Sequence, residues 1–339
     1  MKKFIDPKGN YIIFIPSEWS YKNAFYEAKD SDPNSFELYE NSVGCFQISC
    51  NHVGIGKIPD LILTHKLESQ EFGKNNLHFK EISIPGDNFD CYIWMAVVGE
   101  NFVMCKYISD NNSSSNEKIK EEINKAKTSI NSLLFIEDKY KNQVLADERF
   151  NKFMISLGAS IDLKNRAYAN NSPIELVILL ANQIDALLRL VLILHKQLKL
   201  STEDIDISLI FQSETDKPIM EKKVYDMALK EAIISSNLHN ELYSLYNQRN
   251  KVVHRYIITD LLTRDVMKLA IDYGLMEEKI GSIVKQYEQE QFKNKIGIYG
   301  SKTPPNEPLD DLRKAIIIGN LKEKHAHKDF NNGITFEIT

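Results

Sequence analysis

The stretch Ser172-Pro173-Ile174-Glu175-Leu176-Val177-Ile178-Leu179-Leu180-Ala181-Asn182-Gln183-Ile184-Asp185-Ala186-Leu187-Leu188-Arg189 decides how the second half of the chain folds. Apolar residues continue to about residue 198, a run too long for a strand and suited to a helix. Ser172 stands where a cap is needed, Pro173 suits the first helical turn because it has no N–H to leave unpaired, and Glu175 completes a capping-box pattern. The segment 174–194 is the most apolar in the sequence. Glu175, Asn182, Gln183, Asp185 and Arg189 interrupt it, so a bundle core is expected and a membrane span is not. Glu175, Asn182 and Arg189 recur at a spacing of seven, and Asp185 precedes Arg189 by four, which aligns polar side chains along one flank. In so apolar a helix this stripe points to a polar pocket lined by Asn182, Asp185 and Arg189.

Outward from this helix, helical periodicity covers 222–234, 238–256 and 263–291, the last with a break expected near Tyr273-Gly274. Before residue 135 the pattern changes to strands. Tyr11-Ile12-Ile13-Phe14-Ile15 ends at Pro16, and Cys45-Phe46-Gln47-Ile48-Ser49 alternates in polarity. Tyr92 to Val98 and Phe102 to Tyr107 flank a turn at Gly99-Glu100-Asn101, the pattern of a hairpin. Helices are expected over 58–70 and 116–134, the second from Ile119, Ile123, Ala126, Ile130 and Leu133 at helical spacing. The fold class expected is α+β: an antiparallel α/β sandwich over 1–137, a helical bundle over 138–292, and a C-terminal extension over 293–339 with a short helix at 310–318 and a strand at 333–338.

The 339 residues suit two domains, and 43% hydrophobic content is enough for real cores without covalent staples. The net charge of −5 leaves no global basic footprint, so any nucleic-acid contact must come from a local patch. Met1-Lys2-Lys3-Phe4-Ile5-Asp6-Pro7 has no apolar run behind it and does not read as a signal peptide, so a cytoplasmic location is expected. Cys45, Cys50, Cys91 and Cys105 form no CxxC pair and read as thiols packed on strands; neither a metal site nor a cofactor is expected. The P-loop, GxSxG and HExxH patterns do not occur. His325-Ala326-His327, with Glu323 and Asp329, lies in a charged tail and reads as solvated; His195 reads as a helix-end histidine.

The run that carries chemistry is Arg249-Asn250-Lys251-Val252-Val253-His254-Arg255-Tyr256. Leu238, Leu242, Leu245, Val252 and Tyr256 trace one apolar stripe, and Arg249 falls in it. A guanidinium there keeps its charge and needs an anion, a carboxylate or a groove open to solvent. Asn250 and His254 share a face, whereas Arg249 and His254 point about 140° apart on an ideal helix. Aiming both at one atom therefore requires a kink, or the same helix from a second chain across a two-fold axis. Cleaving an RNA phosphodiester needs a proton acceptor for the 2′-hydroxyl, a proton donor for the leaving oxygen and charge stabilisation on the phosphate. His254 suits the first two tasks and Arg249 the third, without a metal, with Asn250 as positioner.

With Arg249, Asn250 and His254, and Gln183-Ile184-Asp185-Ala186-Leu187-Leu188-Arg189 on an earlier helix, the helical region resembles the HEPN superfamily. The resemblance implies a dimeric helical bundle whose site forms between protomers. It also implies metal-independent endoribonuclease activity of the kind found in toxin–antitoxin, abortive-infection and CRISPR systems. RNA, a second copy of the chain and an antitoxin or regulatory protein are the implied partners; no membrane is implied. His254-Arg255-Tyr256 extends the match to the Arg-x4-His-x-Tyr form, whose tyrosine accepts AMP in some HEPN toxins. Tyr256 is thus a modification candidate as well as a core candidate. The Asp-Pro-Lys-Gly lead, the Ile15-Pro16 strand end, Glu18-Trp19 and the closing helix with Ser132-Leu133-Leu134-Phe135 resemble PsbP-like α/β domains, which implies a single antiparallel sheet used for binding.

Three alternatives stay open on the residues alone, one of them an interaction protein in which the N-terminal domain dominates and the helices merely dimerise it; the other two concern the motif. Arg249 pairs with a helix carboxylate, Asp185 or Glu241, while His254 is an ordinary surface histidine; or the bundle keeps the motif and only binds RNA, a nucleotide or a protein. Tyr243 and Tyr246, near Arg249, are candidates for base stacking or for core packing.

Overall fold

The computed structural model describes residues 1–24, 29, 32–38, 41–71, 77–86, 88–110, 116–212, 217–300 and 324. The chain is mixed α and β, with mainly antiparallel sheets in the N-terminal part and helices in the C-terminal part. It divides into two compact units, Met1–Leu145 and Ala146–Thr339.

The first unit holds β1 (Lys2–Ile5), β2 (Tyr11–Ile15), β3 (Trp19–Tyr21), β4 (Asn34–Leu38), β5 (Gly44–His52), α1 (Ile58–His65), β6 (Ser69–Gln70), β7 (Lys80–Ile84), β8 (Phe89–Val98), β9 (Asn101–Asp110), α2 (Asn116–Asn131) and β10 (Leu134–Phe135). The expected hairpin is β8–β9, registered from Phe89↔Asp110 to Val98↔Asn101, with Gly99 supplying the positive φ of its turn. In place of the single sheet that a PsbP-like domain implies, there are two. One has the order β1-β2-β10; the other runs β3-β4-β5-β9-β8-β6, with β7 also paired to β8. Pro16 follows β2 directly, and the turn closed by Trp19 N–H to the Pro16 carbonyl (3.2 Å) delivers β3 to the second sheet. Helix α2 buries the stripe read from the sequence, Ile119, Ile123, Ala126, Ile130 and then Leu133, against Tyr11, Ile13, Trp19, Phe46 and Tyr107. Its Glu122 is buried and accepts from Trp19 Nε1 (2.6 Å) and Lys125 Nζ (2.8 Å).

The helix expected over 58–70 is shorter. Lys66 takes a left-handed conformation (φ 50°) and its N–H closes the last turn of α1. Ser69 and Gln70 then pair in parallel with Val97 and Val98 at the sheet edge. The four cysteines are free thiols on the strands; burial pushes Cys50 up to about 12.

The helical region holds α3 (Asp138–Ala169), α4 (Pro173–Leu200), α5 (Ile207–Ile210), α6 (Glu221–Lys230), α7 (Ser236–Arg255) and α8 (Thr263–Asn294). Helix α4 is long and apolar enough to cross a bilayer, but in this fold it is the core helix, packed by α6, α7 and α8 through Leu180, Ile184, Leu188, Val191 and Leu194. Ser172 makes no side-chain cap bond, so the expected capping box at α4 does not form. Side-chain caps occur elsewhere. Ser235 Oγ accepts from Leu238 N–H, starting α7 ahead of residue 238, and Asp265 accepts from Leu262 N–H at α8. Helix α6 ends at Lys230, short of the expected 234, because Ala232 turns the chain with φ 55° and sends Ile233 and Ile234 into the core. Helix α8 continues without a break through Gly274, whose missing side chain would face open space, while Tyr273 is buried.

At the far end of α4, Gln197 and Gln291 are both buried. Gln291 Nε2 donates to Gln197 Oε1 (2.8 Å) and the Leu194 carbonyl (3.1 Å). The backbone N–H groups of Ile298 and Tyr299 complete these two side chains at 3.3 and 3.1 Å. Packed structure thus runs to Tyr299, beyond the expected start of the extension at 293. The rest of the tail expectations, His325, His327, Glu323 and Asp329 with the helix at 310–318 and the strand at 333–338, lie outside the described residues.

Candidate active site

Helix α7 is continuous from Ser236 to Arg255, followed by a 3-10 turn Tyr256–Ile258, so no kink realigns Arg249 with His254. The two side chains keep their different faces. Arg249 turns inward with 18% of its side chain exposed. Its Nη1 donates to Glu221 Oε2 at 2.7 Å, its Nη2 donates to Asn250 Oδ1 at 3.1 Å, and its Cζ lies 4.8 Å from the Tyr246 ring centre. His254 turns outward, is exposed, and has no hydrogen bond or ion pair among the described residues. Asn250 shares a helix face with His254, yet its carboxamide oxygen is committed to Arg249.

The carboxylate that Arg249 meets is neither of the two expected from the sequence. Asp185 bonds Arg189 Nε (2.7 Å), and Glu241 bonds Lys279 (2.9 Å) and Asn237 (2.7 Å). Glu221, the first residue of α6, is 13% exposed; its other oxygen accepts from the Tyr225 hydroxyl. Arg189 carries on from Asp185 to the carbonyls of Leu209 (2.9 Å) and Ile219 (2.7 Å), so the α4 pair fixes the backbone that leads into Glu221. Asn182, expected in the same pocket, is exposed and takes no part. The neighbouring Gln183 is buried instead and donates to Ser160 Oγ at 3.2 Å. Glu221, Tyr225 and Tyr273 were not singled out by the sequence; the only hint was the Glu221-to-Tyr225 spacing of one helical turn.

This polar cluster sits in an apolar surround, and its electrostatics reflect that. Burial pushes the Glu221 carboxyl above its ordinary value, outweighing the Tyr225 hydrogen bond and the Arg249 charge, and does the same to Asp185 against the pull of Arg189 and Arg249. Burial and the Glu221 charge also raise the Tyr225 hydroxyl. Asp185 Oδ1 and Tyr273 Oη are buried without a hydrogen-bond partner among the described residues. A carboxyl whose folded value lies above its unfolded one contributes stability that is full below the unfolded value and is lost as pH rises through the folded one. Glu221→Gln removes that dependence. Its stability deficit relative to wild type is therefore expected to shrink from about pH 4 to about pH 7 in urea unfolding. A constant or widening deficit would contradict the raised carboxyl.

The surroundings of His254 are apolar and exposed. Ile257 is 94% and Ile258 79% exposed, and Val253 and Leu262 are exposed as well. Lys251 and Arg255 are exposed on the last turns of α7. Tyr256 is half-buried against the core, with its hydroxyl 3.4 Å from Thr263 Oγ1. It lines a groove of about 520 Å³ together with Ile174, Ile178, Leu179 and Val266. Core and solvent thus share this side chain. Tyr243 and Tyr246 pack on the core edge, with Lys222 Nζ 5.0 and 4.6 Å above their rings. His195, expected at a helix end, instead lies inside α4, which runs to Leu200, and bridges Tyr287 and Glu231 at 3.2 Å each.

No family model and no curated protein matches the chain. A solved structure from Bacteroides thetaiotaomicron VPI-5482 is similar at 14% identity over 55% of this chain and 76% of that one, with a TM-score of 0.28, which is too low to carry a fold assignment.

Proposed function

We propose that the chain is a metal-independent endoribonuclease of HEPN type, active as a homodimer whose site is assembled from two copies of the α7 motif. The observation that carries this reading is the setting of His254: it is exposed on the end of α7, among the uncovered side chains Val253, Ile257, Ile258 and Leu262. Exposed apolar side chains gathered on one short segment suit an interaction surface. An isologous contact there brings two His254 imidazoles to one axis. One imidazole accepts the 2′-hydroxyl proton as that oxygen attacks phosphorus; the other protonates the departing 5′-oxygen, leaving a 2′,3′-cyclic phosphate. Arg249 offsets charge on the phosphate, and Lys251 and Arg255 give a net-acidic chain a local basic patch. The N-terminal unit serves as a binding module. A cytoplasmic toxin–antitoxin, abortive-infection or stress role, with an antitoxin or regulator as partner, fits this activity.

The direct test is cleavage of an unstructured RNA in EDTA with 2′,3′-cyclic phosphate detected at the new ends. No cleavage of any RNA by the dimer defeats the reading. Dimerisation has its own test. The double replacement Ile257→Asp/Ile258→Asp is expected to give a monomer by light scattering, with cleavage reduced at least about tenfold. Because both side chains are exposed, stability should stay within about 0.5 kcal/mol. A fully active monomer would remove the composite site.

One observation favours a second reading. Arg249 already has its charge matched by Glu221, which suits a HEPN-like bundle that binds RNA, a nucleotide or a protein without cutting. Tight RNA binding with no cleavage in any condition selects it.

A further inference from the structure

We infer that Glu221 is the positioning residue of the site, acting on the phosphate only through Arg249. This rests on the nuclease reading for its kinetic consequences and on geometry alone for its assignment. Three features carry it. First, Glu221 is held at both oxygens, by the Tyr225 hydroxyl at one and Arg249 Nη1 at the other, so the carboxylate has little freedom of its own. Second, the guanidinium is held at both terminal nitrogens, by Glu221 and by Asn250, while Nε has no partner among the described residues and Arg249 remains partly exposed. A guanidinium fixed at two corners keeps a third donor for an incoming oxyanion, and its orientation is set before the substrate arrives. Third, the mount has a foundation. Arg189, paired to Asp185, bonds the Ile219 carbonyl just ahead of α6 and so fixes where Glu221 begins.

The arrangement links the Asp185–Arg189 pair to the α7 motif through α6. Asp185 and Arg189 hold the entry to α6, α6 presents Glu221, and Glu221 orients Arg249. The rotamer of a long, four-torsion side chain is thereby fixed by neighbours. Leaving Arg249 to find its own position at the moment of reaction would cost rate, because misplacing a catalytic group by about 1 Å costs on the order of a hundredfold.

The experiment is a cycle of Glu221→Gln, Arg249→Met and the double variant in the full-length protein. The substrate is an unstructured RNA oligonucleotide, and a 2′-O-methyl version that cannot be cut serves for binding. Methionine keeps the apolar stem over Tyr246, and the double variant removes both members of the buried pair together. Expected for Glu221→Gln is a fall in kcat of about tenfold or more with KM within about threefold, and no further fall when it is added to Arg249→Met. A structural role would lower both backgrounds alike, and additive losses overturn the inference while leaving the nuclease reading intact. Tyr225→Phe, which frees one Glu221 oxygen without touching charge, should lower kcat in the same direction by a few-fold. It decides the matter if Arg249→Met fails to fold, and an unchanged kcat then overturns the inference. If the wild type cuts nothing, the same cycle is read on affinity for the 2′-O-methyl strand. A Glu221 effect that vanishes without Arg249 keeps the inference and drops the nuclease; no binding, or an effect indifferent to Arg249, drops both.

Discussion

Replacing His254 with alanine is expected to lower RNA cleavage by at least about a hundredfold, the scale of a lost general acid or base, and to leave unfolding unchanged. Both halves follow from the same geometry. His254 is exposed and makes no bond among the described residues, so nothing in the fold depends on it. Surface changes away from packing and caps stay within about 0.5 kcal/mol. In a two-fold site each substitution removes both the acid and the base at once, so no residual half-site remains. The pairing of large kinetic loss with intact stability is therefore the signature to measure, by initial rates in EDTA and urea unfolding on one preparation. Equal rates for wild type and His254→Ala would end the catalytic role.

Arg249→Ala is expected to behave in the opposite sense. It strands Glu221, a carboxylate 13% exposed whose remaining partner is the Tyr225 hydroxyl. Removing one partner of a buried ion pair costs about 3–5 kcal/mol, because the other charge is left without compensation. Part of that loss is relieved where the carboxyl takes up a proton, which it does more readily than an exposed glutamate. The variant should therefore regain stability as pH falls toward the carboxylate range, whereas the double variant Glu221→Gln/Arg249→Met, which leaves no stranded charge, should lie closer to wild type than Arg249→Ala at neutral pH. Urea midpoints at acid and neutral pH check this. A neutral Arg249→Ala would mean that the pair contributes nothing to the fold. Cleavage by Arg249→Ala must be read below its unfolding midpoint, otherwise lost folding is mistaken for lost chemistry.

Much of the architecture was readable wherever one period dominated. The 3.6-residue stripe Ile119–Ile123–Ala126–Ile130 marked α2, and the two apolar runs around Gly99 marked the β8–β9 hairpin. Helix α3 was not readable as an element. Lys141, Glu148, Arg149, Lys152, Asp162, Lys164 and Arg166 spread charge around it, and only Phe150, Ala159 and Ala167 are buried. The odd position of Arg249 in an apolar stripe did show that it needed an anion, a carboxylate or a groove open to solvent. Which of these it meets did not show, because Glu221 lies 28 residues away in the sequence on a separate short helix. Of the two carboxylates expected, Glu241 lies on the same helix as Arg249 and Asp185 on α4, and they are already taken by Lys279 and Arg189. Sequence spacing reports neighbours on one helix; which helix faces another is set by packing that no single stretch encodes.

The paired amides Gln197 and Gln291 have a practical corollary for anyone excising the helical region as a minimal fragment. Their hydrogen bonds are completed by the backbone of Ile298 and Tyr299, and both of those side chains pack on the core. A stop codon placed at 293, where the charged tail looks dispensable, would open the floor of the bundle and orphan two amides in its interior. The resulting loss of any phenotype would be misread as a role for the tail, whereas a terminus set after Gly300 leaves that seal intact.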